Sequence, residues 1–288
     1  MKTLRLIKEE VKKMYSNVAF PIVIFATMVI YLSGTIYINP MTKKEYNLFT
    51  VITLPDYRSE LLARGISFQS VFLSGTDSYI WMFAPILASI PFVALLCGAK
   101  KNNNIRFEIM RVGKKGYIFG KMISAMLAGG TAFMLGYLGF GLVIYVMLPQ
   151  ANAYALDNIT YIYTVIPKLK VLYDAGGLGL VLVLRIVAVF IYGMTTVVLP
   201  FAASSLIKNK YLVICIPFML NYFLDVFLRK QTGIIPKVAE IIAPTQPVEI
   251  FRYNFEKAHW IALYWLVCVV LTMILHYVVL NRRCDCGE

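Results

Sequence analysis

The sequence predicts an all-α polytopic membrane protein, and three observations carry that reading. Hydrophobic residues make up 59% of the 288, with a mean hydropathy of +0.71, far above soluble usage. The apolar residues are gathered into runs long enough to cross a bilayer as helices. The basic residues, in turn, concentrate in alternate connections between those runs. A barrel would show short alternating segments instead, and a bilayer leaves few other ways to satisfy the backbone. The net charge of +13 is distributed by connection and not along an aromatic-interleaved face, so no nucleic-acid partner is expected.

From the N-terminus, Leu4 to Tyr15 alternates apolar and charged residues as an amphipathic helix would. Six apolar runs follow that reach, or nearly reach, the roughly 20 residues that about 30 Å of hydrocarbon requires. They are Met14 to Ile38, Ser78 to Ala99, Met122 to Leu148, Ala175 to Ile207, Tyr211 to Leu228 and Ala258 to Leu280. The expected spans are 17–38, 79–99, 118–148, 176–207, 211–228 and 258–281, within one transmembrane domain over 1–288. The first run is longer than the 7 to 15 apolar residues of a signal peptide, and no small-residue cleavage site follows, so an uncleaved helix is expected.

Orientation follows from charge. The N-terminal tail, Lys100 to Lys121, the turn Lys208-Asn209-Lys210 and Arg282-Arg283 are rich in cations. The loop Asn39 to Asp77 balances four basic against four acidic residues, and Pro149 to Asp174 is balanced as well. Both termini are therefore predicted to be cytoplasmic. Arg229 to Lys257 departs from the pattern with five basic residues, partly offset by Glu240, Glu249 and Glu256. Within the outer loops, Arg58 to Phe72 reads as a short helix, and Pro236, Pro244 and Pro247 break Ile234 to Phe251 into an interfacial or re-entrant pair.

The residues of enzymatic chemistry are sparse. Only His259 and His276 are present, near opposite ends of one predicted helix, so no intramembrane metal site is expected. Ser204-Ser205 has no base within reach by sequence logic. Gly116-Tyr-Ile-Phe-Gly120-Lys121-Met122 is one residue short of a phosphate-binding loop and lacks the Ser or Thr after its lysine. The chain is not expected to be an enzyme by itself or to carry a cofactor. Cys97, Cys215, Cys268, Cys284 and Cys286 suggest no disulfide framework. The tail pair Cys284 and Cys286, and the sequon Asn158-Ile-Thr160, are weak signals.

Between the second and third runs, Lys100 to Lys121 holds seven Lys or Arg against one acid, Glu108. Asn102 to Asn104 can open a short helix, which Gly113 closes. Ile105, Ile109 and Val112 share one face of it, with Phe107 and Met110 nearby, while Arg106, Glu108 and Arg111 fall toward the remaining surface. Tyr117 and Lys121 would then sit at the membrane interface. The bland reading is a solvated positive loop; the functional one is a helix that seats in a separate subunit.

In this order of parts the chain resembles the ABC-2 type membrane subunits of ATP-binding cassette exporters. The likeness runs through Leu4 to Tyr15 leading by Pro21 into the first span, Phe107-Glu108-Ile-Met-Arg111 after the second, Lys114 to Lys121 opening the third, and Ile242-Ala-Pro244-Thr-Gln-Pro247 before the last. The resemblance implies six spans, an interfacial elbow helix at 3–15, and a coupling helix whose Arg106, Phe107, Glu108 and Arg111 dock an ATPase. It further implies short external helices before the last span. A pair of membrane subunits, identical or not, would be served by two separately encoded ATPase subunits that hold ATP and Mg. The implied function is export of an amphipathic or hydrophobic peptide, drug or lipid across the plasma membrane, in a bacterial cell. A non-transporting immunity or sensory subunit and an ion-coupled transporter stand beside it; the single carboxylate Asp225 favours the last least.

Arg185 and Asp225 are the charges inside predicted spans. They can pair between neighbouring helices, snorkel to the outer surface, or line a substrate path. The third run carries Ala125, Gly129, Gly130, Gly136, Gly139 and Gly141, which permit close helix approach.

Overall fold

The structure, a computed structural model, describes residues 2–38, 45–52, 57–63, 65–76, 79–101, 104–151, 167–207, 209–230 and 258–285. The proline-marked segment 234–251, the sequon at 158–160, Asn102, Asn103 and Cys286 lie outside the described residues, as does the Arg106 side chain.

Two helices begin the chain, α1 (Lys2–Tyr15) and α2 (Ala19–Ser33), bent by 65° across the intervening residues. Asn17 Oδ1 accepts from the Ala19 amide at 3.1 Å and starts α2 anew, while Pro21 falls in its first turn, where no intrahelical donor is lost. An antiparallel ribbon of β1 (Thr35–Ile38) and β2 (Glu45–Asn47) follows, a feature the apolar pattern did not predict. Three short helices come next: α3 (Leu48–Ile52), α4 (Tyr57–Ala63) and α5 (Phe68–Ser74). The single helix expected over Arg58 to Phe72 is thus two. Gly65, at φ 72°, turns the chain, and Ser67 and Ser70 form a capping box that starts α5.

The long helices are α6 (Ile80–Lys101), α8 (Lys114–Met147), α9 (Pro167–Thr196), α11 (Lys210–Lys230) and α12 (Ala258–Asp285). Between them lie α7 (Asn104–Val112) and α10 (Val198–Leu206), the latter continuing α9 so that Gly176–Leu206 forms one apolar stretch. Gly177, at φ 64°, breaks α9 near its start. Among the described residues, four helical stretches are long and apolar enough to cross a membrane: Lys114–Met147, Gly176–Leu206, Lys210–Phe227 and His259–Asn281. The bent pair α1–α2 makes a fifth if taken as one span, and Ile80–Val93 of α6 is a shorter apolar helix.

α8 is the axis of the assembly. It packs against α1, α2, α5, α6, α7, α9, α10 and α12. Its small residues make this possible. A Cβ on Gly129 would stand 2.9 Å from the Gly193 carbonyl of α9, and one on Gly136 would stand 3.0 Å from the Ile24 carbonyl of α2. Bare backbone therefore meets backbone or side chain on two sides of α8. Around it, Tyr31, Phe92, Phe133, Tyr137, Phe140 and Phe201 fill the interior.

The outside is apolar too. α11 exposes Leu212, Met219, Leu220, Phe223 and Phe227, and α12 exposes Trp260, Leu263, Leu266, Leu271 and Ile274. Surfaces of this extent face lipid rather than water. The protein is an all-α polytopic membrane protein apart from its short ribbon.

Candidate functional site

α7 exists because Gly113 separates it from α8. At φ 83° that residue adopts a backbone few others tolerate, and it donates its amide to the Ile109 carbonyl at 2.7 Å. Its carbonyl then accepts from Tyr117, so one residue closes α7 and opens α8.

Lys121, one turn beyond Tyr117, is 3% exposed. Its Nζ lies 2.8 Å from Glu10 Oε2 of α1 and 3.0 Å from Glu108 Oε2 of α7. The second contact is an ion pair by distance, without the alignment of a hydrogen bond. Lys13 donates to Glu10 Oε1 at 2.8 Å, and the Tyr117 ring stands 5.4 Å from the Lys121 ammonium. Three helices are thereby joined through one cation. Burial pushes the Glu10 carboxyl up, but the neighbouring Lys121 and Lys13 outweigh this and hold it below the ordinary 4.5. Lys13 is raised, chiefly by its hydrogen bond to Glu10.

The junction revises the expected faces of α7. Glu108 turns inward to Lys121, whereas Phe107 and Met110 are 66% and 75% exposed and Arg111 is exposed with them. Arg106 belongs to α7, and its side chain lies outside the described set. Tyr117 and Lys121 are buried within the protein, on a helix that packs against α1 and α7. The cause is geometric: α1 lies along α8, with Thr3 against Gly116, Leu6 against Gly120 and the Tyr15 hydroxyl donating to Thr131 at 3.0 Å. A helix of 34 residues is about 51 Å long, well beyond the thickness of a bilayer core.

A second group sits farther along α8. Arg185 of α9 is 2% exposed; its Nε donates to the Tyr137 hydroxyl at 3.3 Å, and its guanidinium lies 5.7 Å from that ring's centroid. Tyr137 in turn donates to the Phe72 carbonyl near the end of α5. Gly75 leaves room for the guanidinium, because a Cβ there would meet Nη2 at 2.9 Å. Tyr31 packs edge-on to Tyr137 at 5.0 Å.

Arg185 and Asp225 lie on helices that pack differently: α9 chiefly on α8, α11 on α6 and α10. One turn before the buried Asp225, Asn221 donates to the Trp81 carbonyl of α6 at 2.8 Å. Among the described residues no group of three or more His, Cys, Asp or Glu is arranged to hold a metal ion.

Sequence reasoning missed Glu10 and did not join it to Lys121. The signal was present, since Leu6, Glu10 and Met14 fall on one helix face and a carboxylate on an apolar stripe calls for a buried cation. Tyr137 gave no such signal within its apolar run. No model of a known protein family matches the chain, and no curated protein matches it either.

Proposed function

We propose that the chain is the permease subunit of an ATP-binding cassette exporter of the ABC-2 type, with six spans and both termini in the cytoplasm. The observation that supports this best is α7, a short helix between two apolar helices that is anchored through Glu108 and presents Phe107, Met110 and Arg111 outward. A solvated loop has no use for exposed aromatic and thioether groups on an anchored helix. A helix that seats in a groove of another subunit uses both.

In this reading Phe107 and Arg111 contact the ATPase, with Arg106 beside them, and Glu108 fixes the helix from behind. ATP and Mg belong to a pair of partner ATPases, and a second membrane subunit completes the complex. Movement of the ATPases displaces α7. The Lys121 junction carries that displacement to α1 and α8, and so to the bundle that opens for an amphipathic or hydrophobic peptide, drug or lipid.

Co-expression with an ATPase encoded beside the gene tests the reading. The purified complex should contain both subunits and hydrolyse ATP. Changing Phe107, Met110 and Arg111 together to Ala should abolish copurification while thermal unfolding of the chain stays as before. Wild-type copurification of that variant rejects docking through α7. A purified wild-type chain that brings down no ATPase rejects the exporter reading itself.

A further inference from the structure

α1 divides its residues between two faces. Leu6, Glu10 and Met14 are buried against the bundle, and Lys2, Arg5, Lys8, Glu9, Lys12 and Lys13 are exposed. Arg5, Lys8 and Lys12 follow the helical repeat and form one outward stripe. Glu9 is the acid among them, paired with Arg5 at 3.3 Å in the open. Glu10 does not dilute the stripe, because it is turned inward to Lys121.

Past the bend, the exposed residues change character at once. Val18, Ile22, Phe25 and Val29 recur at helical spacing along the outside of α2. Along the chain the exposed residues thus pass from mainly basic to apolar across residues 16–18. A bilayer leaflet has the same two layers, anionic headgroups over hydrocarbon.

An ordinary surface-lying helix dips its apolar face into lipid. In α1 that face is already taken: Leu6 fills the space over Gly120, and Thr3 the space over Gly116. What the helix offers outward is mainly charge, with Leu4 and Tyr15 its exposed apolar residues, and in the chain it precedes the exposed apolar stripe of α2. We propose that the Arg5, Lys8 and Lys12 face of α1 binds the headgroups of anionic phospholipids in the adjoining leaflet. The acyl chains of those lipids lie along Ile22, Phe25 and Val29. This inference depends on the chain being membrane-embedded and not on the exporter reading.

The test uses the full chain in vesicles of equal phosphatidylglycerol and phosphatidylcholine, extracted in mild detergent, with retained lipid counted by mass spectrometry. Phosphatidylglycerol should be enriched over phosphatidylcholine. The triple variant Arg5→Gln, Lys8→Gln, Lys12→Gln should lose about tenfold of that preference or more. Lys210→Gln, at an exposed lysine elsewhere, should keep it. A second variant guards against misfolding of the first: Glu9→Gln frees Arg5 and should raise the enrichment. Equal retention of both lipids by the wild type overturns the proposal. So does unchanged preference in the triple variant, and loss of ATPase copurification with lipid preference intact would assign the stripe to a protein partner instead.

Discussion

Lys121 and Arg185 are both buried cations, and their described contacts differ in kind. Lys121 meets carboxylates from two other helices, Glu10 and Glu108. Arg185 is held in its described contacts by the ring and hydroxyl of Tyr137, which itself caps a carbonyl of α5. The first arrangement ties helices together through charge, so any change in charge acts on it. The second includes a ring and a hydroxyl among its described contacts, within an apolar span. The mobile coupling that the proposed function needs is expected at the Lys121 end, because Lys121 is the cation that touches α7.

The largest effect that separates the two ends is expected from Lys121→Met. It leaves Glu10 and Glu108 close together with their common cation gone, and breaking a buried pair this way costs about 3 to 5 kcal/mol. The thermal unfolding midpoint in detergent should drop, and limited proteolysis should release α1. If α1 remains protected, the charge junction is not what attaches it.

Between the ends, Gly129→Leu forces α8 and α9 apart. Its new atoms meet Val197 at 2.5 Å and the Gly193 carbonyl, and overpacking of this kind costs about 3 kcal/mol. Both ends should loosen together in hydrogen exchange. Loosening of one alone would mean that they are not joined through this contact.

Tyr137→Phe tests the second end directly. It removes the hydroxyl shared by Arg185 and the Phe72 carbonyl, at a cost of about 2 kcal/mol for the buried groups left without it. Exchange should rise in α5 and stay unchanged in α1 and α7. A matching rise in α7 would contradict the division drawn above.

The smallest effect is that of pH. Glu10 has a lowered folded-state value, so its contribution is complete above 4.5 and is lost as pH falls through the lower folded value. Attachment of α1 should weaken below 4.5, as read by proteolysis. Glu10→Gln should flatten that dependence. A profile unchanged in the variant would assign the acid sensitivity to other carboxylates.

Part of this was legible in the chain. Apolar run length gave the stretches that became α8, the α9–α10 pair, α11 and α12, because a bilayer sets their length and a helix is the form that satisfies their backbone. Gly113 was readable as a helix end. The ribbon was not, since Thr35–Ile38 simply extends an apolar run and its pairing partner lies beyond residues that carry no strand pattern. The exposed face of α7 was misassigned because sequence polarity suggested that Glu108 faces solvent. It turns inward because Lys121, thirteen positions later, is brought beneath it.

What the sequence determined by itself is the class of the protein and the position of its longest apolar helices. Those properties rest on local hydrophobicity and on backbone conformations that single residues such as Gly113 enforce. Which charges meet was decided only in the tertiary structure. Glu10, Glu108 and Lys121 come from three helices, and the glycines of α8 set how closely those helices approach. A buried charge is stable only where such packing delivers its partner.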